Sequence, residues 1–298
     1  TSNGDNEYSL TTFESDVQVE ENNGWKAIDT TLIPDNDGGF VTKETKLDIK
    51  FSKELNPKES FIEVTNDADQ KVEFSLASIE TSEGLIPIQK SEGEISENVI
   101  TYRDILDGID LRHIVLNTEI KEDVILNEKI EGLKSINYIL NTKLIPTLSK
   151  EGKMVLSDAK GEKIYEMPAP NMSDSKVSEG GGFSEPNYDV EYQLIKKENH
   201  YEVKLIPTSK WLEEDRVYPV YIDPTLIKNV SLDTFVTSAA PDRGHNQYWN
   251  SSLGQYVLRV GKYDSSTGTN YALVKMYTLD NLKGADVTSA TLKTFVNW

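Results

Sequence analysis

Apolar and polar residues alternate with a period of two along most of this 298-residue chain. The clearest example is the segment 189–206, where Val190 and Tyr192 alternate with polar residues, and Tyr201 and Val203 do so again after a short polar turn. A period of two is typical of half-buried β-strands, and two such runs around a polar turn indicate a hairpin. Helical periodicity is almost absent, so the chain is predicted to be all-β and antiparallel.

The same alternation predicts further strands at 71–79, 120–126 and 138–145, and a last strand of the body at 217–224, closed by proline. The final quarter of the chain predicts strands at 233–238, 256–262, 271–277 and 288–296. One short helical turn is predicted at 209–214, with Ser209 as its cap and Trp211 as its apolar anchor.

Several segments predict where strands end. The tripeptide Leu-Ile-Pro occurs at 32–34, 85–87, 144–146 and 205–207, and proline cannot donate to a strand ladder, so each copy is predicted to end a strand. The four copies indicate either a diverged repeat or the reuse of one strand terminator. Turns are predicted at 35–39 and 106–108. The irregular segment 167–186 is a connector or a mobile flap.

The charge of the chain changes near residue 228. Residues 229–298 carry six Lys and Arg against five Asp and Glu, whereas the whole chain has a net charge of −19, so the first 228 residues carry −20. The same last segment holds 9 of the 26 aromatic residues. We therefore predict a flexible segment at 1–14, an acidic β-sandwich body of one or two subdomains at 15–228, and a separate module at 229–298.

Composition argues against several classes of protein. A strongly negative charge disfavours binding to nucleic acid and to anionic membranes. The chain has no cysteine, which excludes disulfides and thiolate chemistry. No apolar run approaches the roughly 20 residues of a membrane span. The first residues have no basic region followed by an apolar core, so an exported form is expected to have lost its signal peptide.

Six strings along the chain resemble, in their order, the N-terminal region of WapA-like wall-associated proteins of Gram-positive bacteria, which are secreted Rhs/YD-repeat polymorphic toxins. The first is YRDILDGIDL at 102–111. The others lie at 120–126, 167–175, 216–224, 233–239 and 268–272. The resemblance covers residues 15–298.

This resemblance implies a secreted, cell-wall-associated region that precedes the YD-repeat shell. It also implies that residues 229–298 begin a DNRLRE module, which is similar to jelly-roll carbohydrate-binding modules. The four predicted strands are fewer than the seven or eight of a closed sandwich. The module is therefore expected to be the first half of a jelly roll, whose remainder lies beyond Trp298 in the same polypeptide.

Catalysis has little support in the residues. The three histidines are His113, His200 and His245, and no Gly-x-Ser-x-Gly elbow or cysteine accompanies them. His113 and His200 are expected to be ordinary strand residues. The toxic activity of the family lies at the far C-terminus, so we predict that this chain is not an enzyme and has no cofactor.

Wall-polymer contact is predicted in the last segment. Sugar rings stack on aromatic side chains, while polar and basic side chains bind hydroxyl and phosphate groups. A structural Ca²⁺ is implied by the similarity to jelly-roll modules, with carboxylate ligands. The predicted ligand-binding residues are Arg243, His245, Tyr248, Trp249, Tyr271, Lys275 and Tyr277, and the predicted metal ligands are Asp233 and Asp242. The alternative is that the aromatic residues merely cover a sheet.

We therefore predict a non-catalytic targeting and scaffold region that attaches a toxin to cell-wall polysaccharide or teichoic acid. The alternative is a structural cap or export domain of the toxin shell that binds no glycan. Cysteine-free β-domains on Gram-positive surfaces also use Lys–Asn isopeptide bonds, but the sequence does not pair a lysine with an asparagine.

Overall fold

A computed structural model describes residues 2–4, 7–8, 18–21, 24–66, 68–176, 186–227, 232–238, 240–245, 249–250, 255–256, 260–262 and 268–275. The first strands are β1 (Ser2–Gly4), β2 (Glu7–Tyr8), β3 (Gln18–Glu21), β4 (Gly24–Ala27), β5 (Asp29–Pro34), β6 (Phe40–Glu44), β7 (Asp48–Phe51), β8 (Glu54–Leu55), β9 (Ser60–Thr65), β10 (Lys71–Thr81) and β11 (Gly84–Pro87). Next come β12 (Ser91–Ser96), β13 (Val99–Leu106), β14 (Ile109–Val115), β15 (Glu119–Leu126), β16 (Ser135–Thr142), β17 (Ile145–Leu148), β18 (Met154–Ser157), β19 (Lys163–Met167) and β20 (Asn171–Ser173). The last elements are β21 (Val190–Lys196), β22 (Tyr201–Pro207), α1 (Ser209–Glu213), β23 (Val220–Asp223), β24 (Leu226–Ile227), β25 (Leu232–Thr237), β26 (Ala240–His245), β27 (Trp249–Asn250), β28 (Gln255–Tyr256), β29 (Gly261–Lys262) and β30 (Thr269–Lys275).

Two large antiparallel sheets form the body. The first sheet has nine strands in the order β21-β22-β16-β10-β9-β7-β6-β5, and β11 pairs with β10. The second sheet has eleven strands in the order β17-β18-β19-β24-β15-β14-β13-β12-β8, and β23 joins β15 to β20. A smaller tail sheet contains β26, β25, β30 and β29 in that order. The prediction of an all-β antiparallel sandwich is confirmed.

The apolar faces of the two large sheets meet in one core. In the first sheet, alternate residues of β10 point inward, and Val72 and Leu76 are fully buried. In the second sheet, Leu111 of β14 and Val124 of β15 are buried in the same way, and all four belong to one cluster. The period of two in the sequence therefore corresponds to the inward face of each sheet.

Two tyrosines of the second sheet also bridge the sandwich. The hydroxyl of Tyr102 donates to the carbonyl oxygen of Ser52 at 2.6 Å, and that of Tyr165 donates to the carbonyl oxygen of Gln70 at 2.9 Å. Each ring is buried while its hydroxyl is satisfied, which is the usual arrangement for a tyrosine in a core.

Several local predictions are confirmed. Strands β21 and β22 form the predicted hairpin, in which Tyr192 pairs with Leu205. The turn at 106–108 joins β13 to β14, and Gly108 has a φ of +73°, a conformation that favours glycine. Strand β25 matches the predicted 233–238 strand, and β29 pairs with β30 as expected for the last hairpin.

Other local predictions are wrong. The helix is capped by Thr208 instead of Ser209, without a side-chain cap hydrogen bond. Its fully buried residue is Leu212, while Trp211 is partly buried and packs against the core as the predicted anchor. The third Leu-Ile-Pro does not end a strand, because β17 begins within it and contains Pro146. Proline is tolerated there since β17 is an edge strand.

The C-terminal segment also differs locally from the predictions. Residues 240–245, which lie between the predicted strands 233–238 and 256–262, form strand β26. The predicted strand at 288–296 lies outside the described residues, as do residues 177–185 of the predicted irregular segment 167–186. The boundaries at 14 and 228 and the half jelly roll stay predictions. In the part of the chain that the structure describes, no helix has the length and apolar character needed to cross a membrane.

Matched leucine substitutions test the position of the core. Leu76 of β10 is fully buried, whereas Leu85 of β11, in the same sheet, is 66% exposed. Replacing Leu76 with Ala is expected to lower the free energy of unfolding by about 2–5 kcal/mol, because it removes buried methyl groups and leaves a cavity. Replacing Leu85 with Ala is expected to change it by less than about 0.5 kcal/mol. Urea unfolding measures both, and similar losses would contradict this core.

Candidate functional site

Strand β15 lies at the centre of the second sheet and is buried on both faces. All eight of its residues are buried, although its sequence, EIKEDVIL, alternates like a half-exposed strand. Ile120, Glu122 and Val124 share the face that meets the first sheet, while Glu119 and Lys121 share the opposite face with Asp123. Because both faces are buried, each charged side chain of β15 needs a partner.

The first polar group lies between the two large sheets and consists of His113, Glu122, Tyr138 and Tyr192, which we call the inter-sheet cluster. His113 of β14 pairs with Glu122 of β15, and His113 Nε2 lies 2.6 Å from Glu122 Oε2. The hydroxyl of Tyr138, from β16 in the opposite sheet, donates to Glu122 Oε1 at 2.7 Å. Glu122 therefore joins the two sheets through both of its carboxylate oxygens.

The surroundings of this cluster are apolar. The rings of Phe51 and Phe61 lie 5.4 and 5.3 Å from the His113 ring, measured between centroids. Burial raises the pKa of the Tyr138 and Tyr192 hydroxyls well above the usual value, with a further contribution from the nearby Glu122 carboxylate, so both remain protonated.

A small cavity borders the inter-sheet cluster, and its volume limits what the cluster can bind. The cavity has a volume of about 30 Å³ and is lined by Ile62, Phe74, His113, Ile120, Glu122, Tyr138, Met167, Tyr192, Val203 and Pro224. Known ligand pockets occupy roughly 300–1,000 Å³, whereas a single water needs only about 10–15 Å³. The cavity has room for water but not for a sugar ring or a nucleotide, so the cluster is suited to linking the sheets.

The second polar group lies on the opposite face of β15, which we call the charged face. It contains Arg112, Glu119, Lys121, Asp123, Asp223 and Thr225. Arg112 donates to Asp123 Oδ2 through Nη2 at 2.6 Å and through Nε at 3.2 Å. The Arg112 guanidinium also lies 5.5 Å from the ring centroid of Tyr221. Asp123 thus has a charged partner that is held in place by an aromatic ring.

Lys121 and Asp223 form the other ion pair of the charged face. Lys121 is 1% exposed and contacts the Asp223 carboxylate, and it also donates to Thr225 Oγ1 at 2.9 Å. Burial lowers the pKa of Lys121 to about 8, although the Asp123 and Glu119 carboxylates oppose this shift. A lysine this deeply buried is rare, which makes the charged face an unusual chemical environment.

The predicted ligand-binding residues lie in the C-terminal segment. Arg243 and His245 lie in β26, Trp249 in β27, and Tyr271 and Lys275 in β30. Tyr248 and Tyr277 lie outside the described residues.

The register of the tail sheet relates some of these positions to one another. Tyr271 pairs with Val236 of β25, while His245 pairs with the next residue of that strand, Phe235. Because their partners are adjacent residues of β25, Tyr271 and His245 occupy register positions on opposite faces of the tail sheet. The contact of these residues with a wall polymer stays a prediction.

The predicted metal ligands lie in neighbouring strands of the tail sheet. Asp233 lies in β25 and Asp242 in β26. Among the side chains that the structure describes, no three His, Asp or Glu residues group as metal ligands. The Ca²⁺ site stays a prediction.

The sequence did not identify the inter-sheet cluster or the charged face. His113 was expected to be an ordinary strand residue, and its strand is confirmed, but its pairing with Glu122 depends on the β14–β15 register. Lys121 and Asp223 are separated by about a hundred residues. The one available signal was the KED triplet at 121–123. A period of two assigns Lys121 and Asp123 to solvent and Glu122 to the inward face.

The chain is similar to known wall-associated proteins. The tRNA nuclease WapA of Bacillus subtilis (strain 168) is 34% identical over 302 residues, which cover 98% of this chain and 13% of that protein. The tRNA(Glu)-specific nuclease WapA of Bacillus subtilis subsp. natto (strain BEST195) gives the same values. The Wall-associated protein of Geobacillus stearothermophilus is 34% identical over 86 residues, 29% of this chain and 33% of that protein. No protein-family description and no solved structure matches the chain.

These similarities confirm the resemblance to WapA-like wall-associated proteins and the expected location at the cell wall. They do not bear on the Rhs shell or on a carbohydrate-binding module. The chain spans about an eighth of the length of the WapA relatives. The prediction that this is not an enzyme is contradicted, because these relatives are named tRNA nucleases. Composition and motifs of one segment describe only that segment and not the rest of the protein.

Two tyrosines of the inter-sheet cluster provide a matched test. Replacing Tyr138 with Phe removes a donor from the buried Glu122 and is expected to lower the free energy of unfolding by about 1–3 kcal/mol. Replacing Tyr192 with Phe is expected to be neutral or slightly stabilising, because its buried hydroxyl has no hydrogen-bond partner among the described residues. Chemical denaturation of both variants measures the difference. Equal losses would contradict the bridging role of Glu122.

Proposed function

We propose that this chain, a WapA-like wall-associated sequence, attaches a tRNA nuclease toxin to cell-wall polysaccharide or teichoic acid. The observation that carries the proposal is the 34% identity to WapA, which extends over 98% of this chain. A second relative is named Wall-associated protein. The tRNA nuclease activity is proposed for the whole protein, of which this chain is a part.

Charge favours the C-terminal segment as the part that contacts an anionic polymer. The first 228 residues carry a net charge of −20, and the remainder carries +1. A strongly acidic surface repels phosphate-rich polymers, and salt screens this repulsion only beyond a distance of roughly 10 Å. Contact with teichoic acid is therefore least unfavourable at the tail sheet.

An exposed aromatic residue supports contact at the tail sheet. Tyr271 is 62% exposed, whereas its neighbour Asn270 is buried. The Asn270 side chain donates to the carbonyl oxygens of Gly261 at 3.3 Å and Gly268 at 3.4 Å, which fixes β30 against the preceding turn. Because successive residues of a strand point to opposite faces, this anchoring directs Tyr271 to solvent. An exposed phenol ring on a rigid strand is suited to stacking on a sugar.

Retention on purified Gram-positive cell wall tests this proposal. Replacing Tyr271 with Ala is expected to weaken binding by about two- to tenfold, since one stacking contact is worth about 0.5–1.5 kcal/mol. The control is Trp25→Ala, because Trp25 in β4 is 67% exposed and lies outside the tail. That variant is expected to bind like the unaltered chain.

A wall stripped of teichoic acid distinguishes the two polymers, since only loss of the anionic polymer removes a salt-dependent part of the binding. If the unaltered chain is not retained on either wall, the attachment proposal is wrong, and a structural role in the toxin shell is favoured.

A further inference from the structure

Lys121 and Asp223 occupy neighbouring positions on the charged face of the second sheet. Strands β15 and β23 are antiparallel, with Val124 opposite Ile222, and β15 continues opposite β24, with Ile120 opposite Leu226. This single register places Lys121 opposite residue 225, and Asp223 two residues away on the same face. A lysine side chain spans that diagonal, and the Lys121 ammonium nitrogen contacts a carboxylate oxygen of Asp223.

Two donors polarise the Asp223 carboxyl group. Asn171 Nδ2 donates to Oδ2 at 3.1 Å, and Thr225 Oγ1 donates to Oδ1. Both donors withdraw electron density from the carboxyl carbon Cγ, as the donors of an oxyanion hole do for an acyl group under attack. Asp223 is also 6% exposed, so bulk water has little access to compete with an attacking amine.

The environment of Lys121 favours the neutral, nucleophilic amine. The side chain is fully buried, and burial brings its pKa to about 8, so a fraction of the amine is unprotonated at neutral pH. The hydrogen bond from Nζ to Thr225 Oγ1 at 2.9 Å orients the nitrogen beside the carboxyl group that Thr225 also contacts. Nucleophile and electrophile are therefore held together in a water-poor site.

A third carboxylate, that of Glu119, lies on the same buried face as Lys121. Glu119 lies two residues before Lys121 on the same face of β15 and is buried. Asp123, two residues after Lys121, is already bound by the Arg112 guanidinium. We assign the proton transfer to Glu119, because it shares this buried face with Lys121 and a carboxylate can accept and return a proton.

We propose that Lys121 and Asp223 become joined by an intramolecular isopeptide bond between Nζ and Cγ. The neutral amine attacks Cγ of the protonated Asp223 carboxyl, and the Nζ–Cγ bond forms. Glu119 takes a proton from the nitrogen and delivers it to the departing hydroxyl, so the Cγ–O bond breaks and one water leaves. No oxidant, reductant or other reactant is needed.

The bond would stabilise the folded chain in two ways. A buried ion pair loses hydration that its mutual attraction only partly restores, whereas a neutral amide carries no charge into the interior. The cross-link also closes a loop of about a hundred residues in a chain without cysteine, which restricts the unfolded state as a disulfide does. It ties the central strand β15 to β23, the last strand of the body before β24.

Intact mass spectrometry of the 298-residue chain under denaturing conditions tests the bond. The expected mass is lower than the sequence mass by one water, and a proteolytic digest is expected to contain a branched peptide in which Lys121 and Asp223 are linked. A full sequence mass would overturn the proposal and leave an ion pair only. Loss of one water that maps to an Asp-Gly pair, such as Asp37-Gly38, would also overturn it.

Variants identify the participants. Lys121→Arg retains the charge but lacks the amine, and it is expected to show the full sequence mass. Glu119→Gln is expected to retain the full mass as well, because the proton carrier is lost. The matched control is Lys71→Arg, since Lys71 forms exposed ion pairs with Glu63 and Glu73 and should leave the loss of water unchanged.

The intact mass of the unaltered chain tests the bond even if a variant fails to fold. Loss of one water in Lys121→Arg would contradict the assignment of the bond. Loss of one water in Glu119→Gln would contradict the role of the carboxylate.

Discussion

The burial of β15 on both faces is the constraint on which the body depends. One face carries apolar residues and Glu122 into the sandwich, and the other carries Glu119, Lys121 and Asp123 into a second buried environment. Charges in such positions are tolerated only when they are paired. The pairing draws in β14 through Arg112 and His113, β16 through Tyr138, and β23 through Asp223. The polar groups of β15 therefore bind partners on β14, β16 and β23, and these contacts favour the observed neighbours of the strand.

The sequence predicted the fold class and most strands because the inward face of each sheet is apolar. The period of two located β10, β15, β21 and β22. The turn residues located the connections from β5 to β6, from β13 to β14 and from β21 to β22. Local errors arose where tertiary context decides the outcome. Pro146 lies inside β17, which is an edge strand. Proline is tolerated there because a residue of an edge strand can face solvent with no hydrogen bond to donate.

The charged face was missed for a related reason. A period of two shows that Lys121 and Asp123 share a face, but not that this face is buried. Only the register between strands distant in sequence brings Lys121 to Asp223 and His113 to Glu122. The prediction that this chain is not an enzyme is contradicted by relatives named tRNA nucleases, of which the chain covers 13%.

The body and the tail segment differ in charge and in the side chains that they expose. The acidic sandwich supplies a rigid, strongly paired unit, and the neutral tail sheet presents Tyr271 to solvent. Because the chain has no cysteine, its strands are held by burial and by paired polar groups such as those around β15.

Native-state hydrogen exchange of the backbone amides tests the central role of β15 most directly. The account predicts that the amides of β15 exchange only when the whole body unfolds, while those of the edge strand β17 exchange through local opening. Exchange of β15 at the rate of β17 would contradict it.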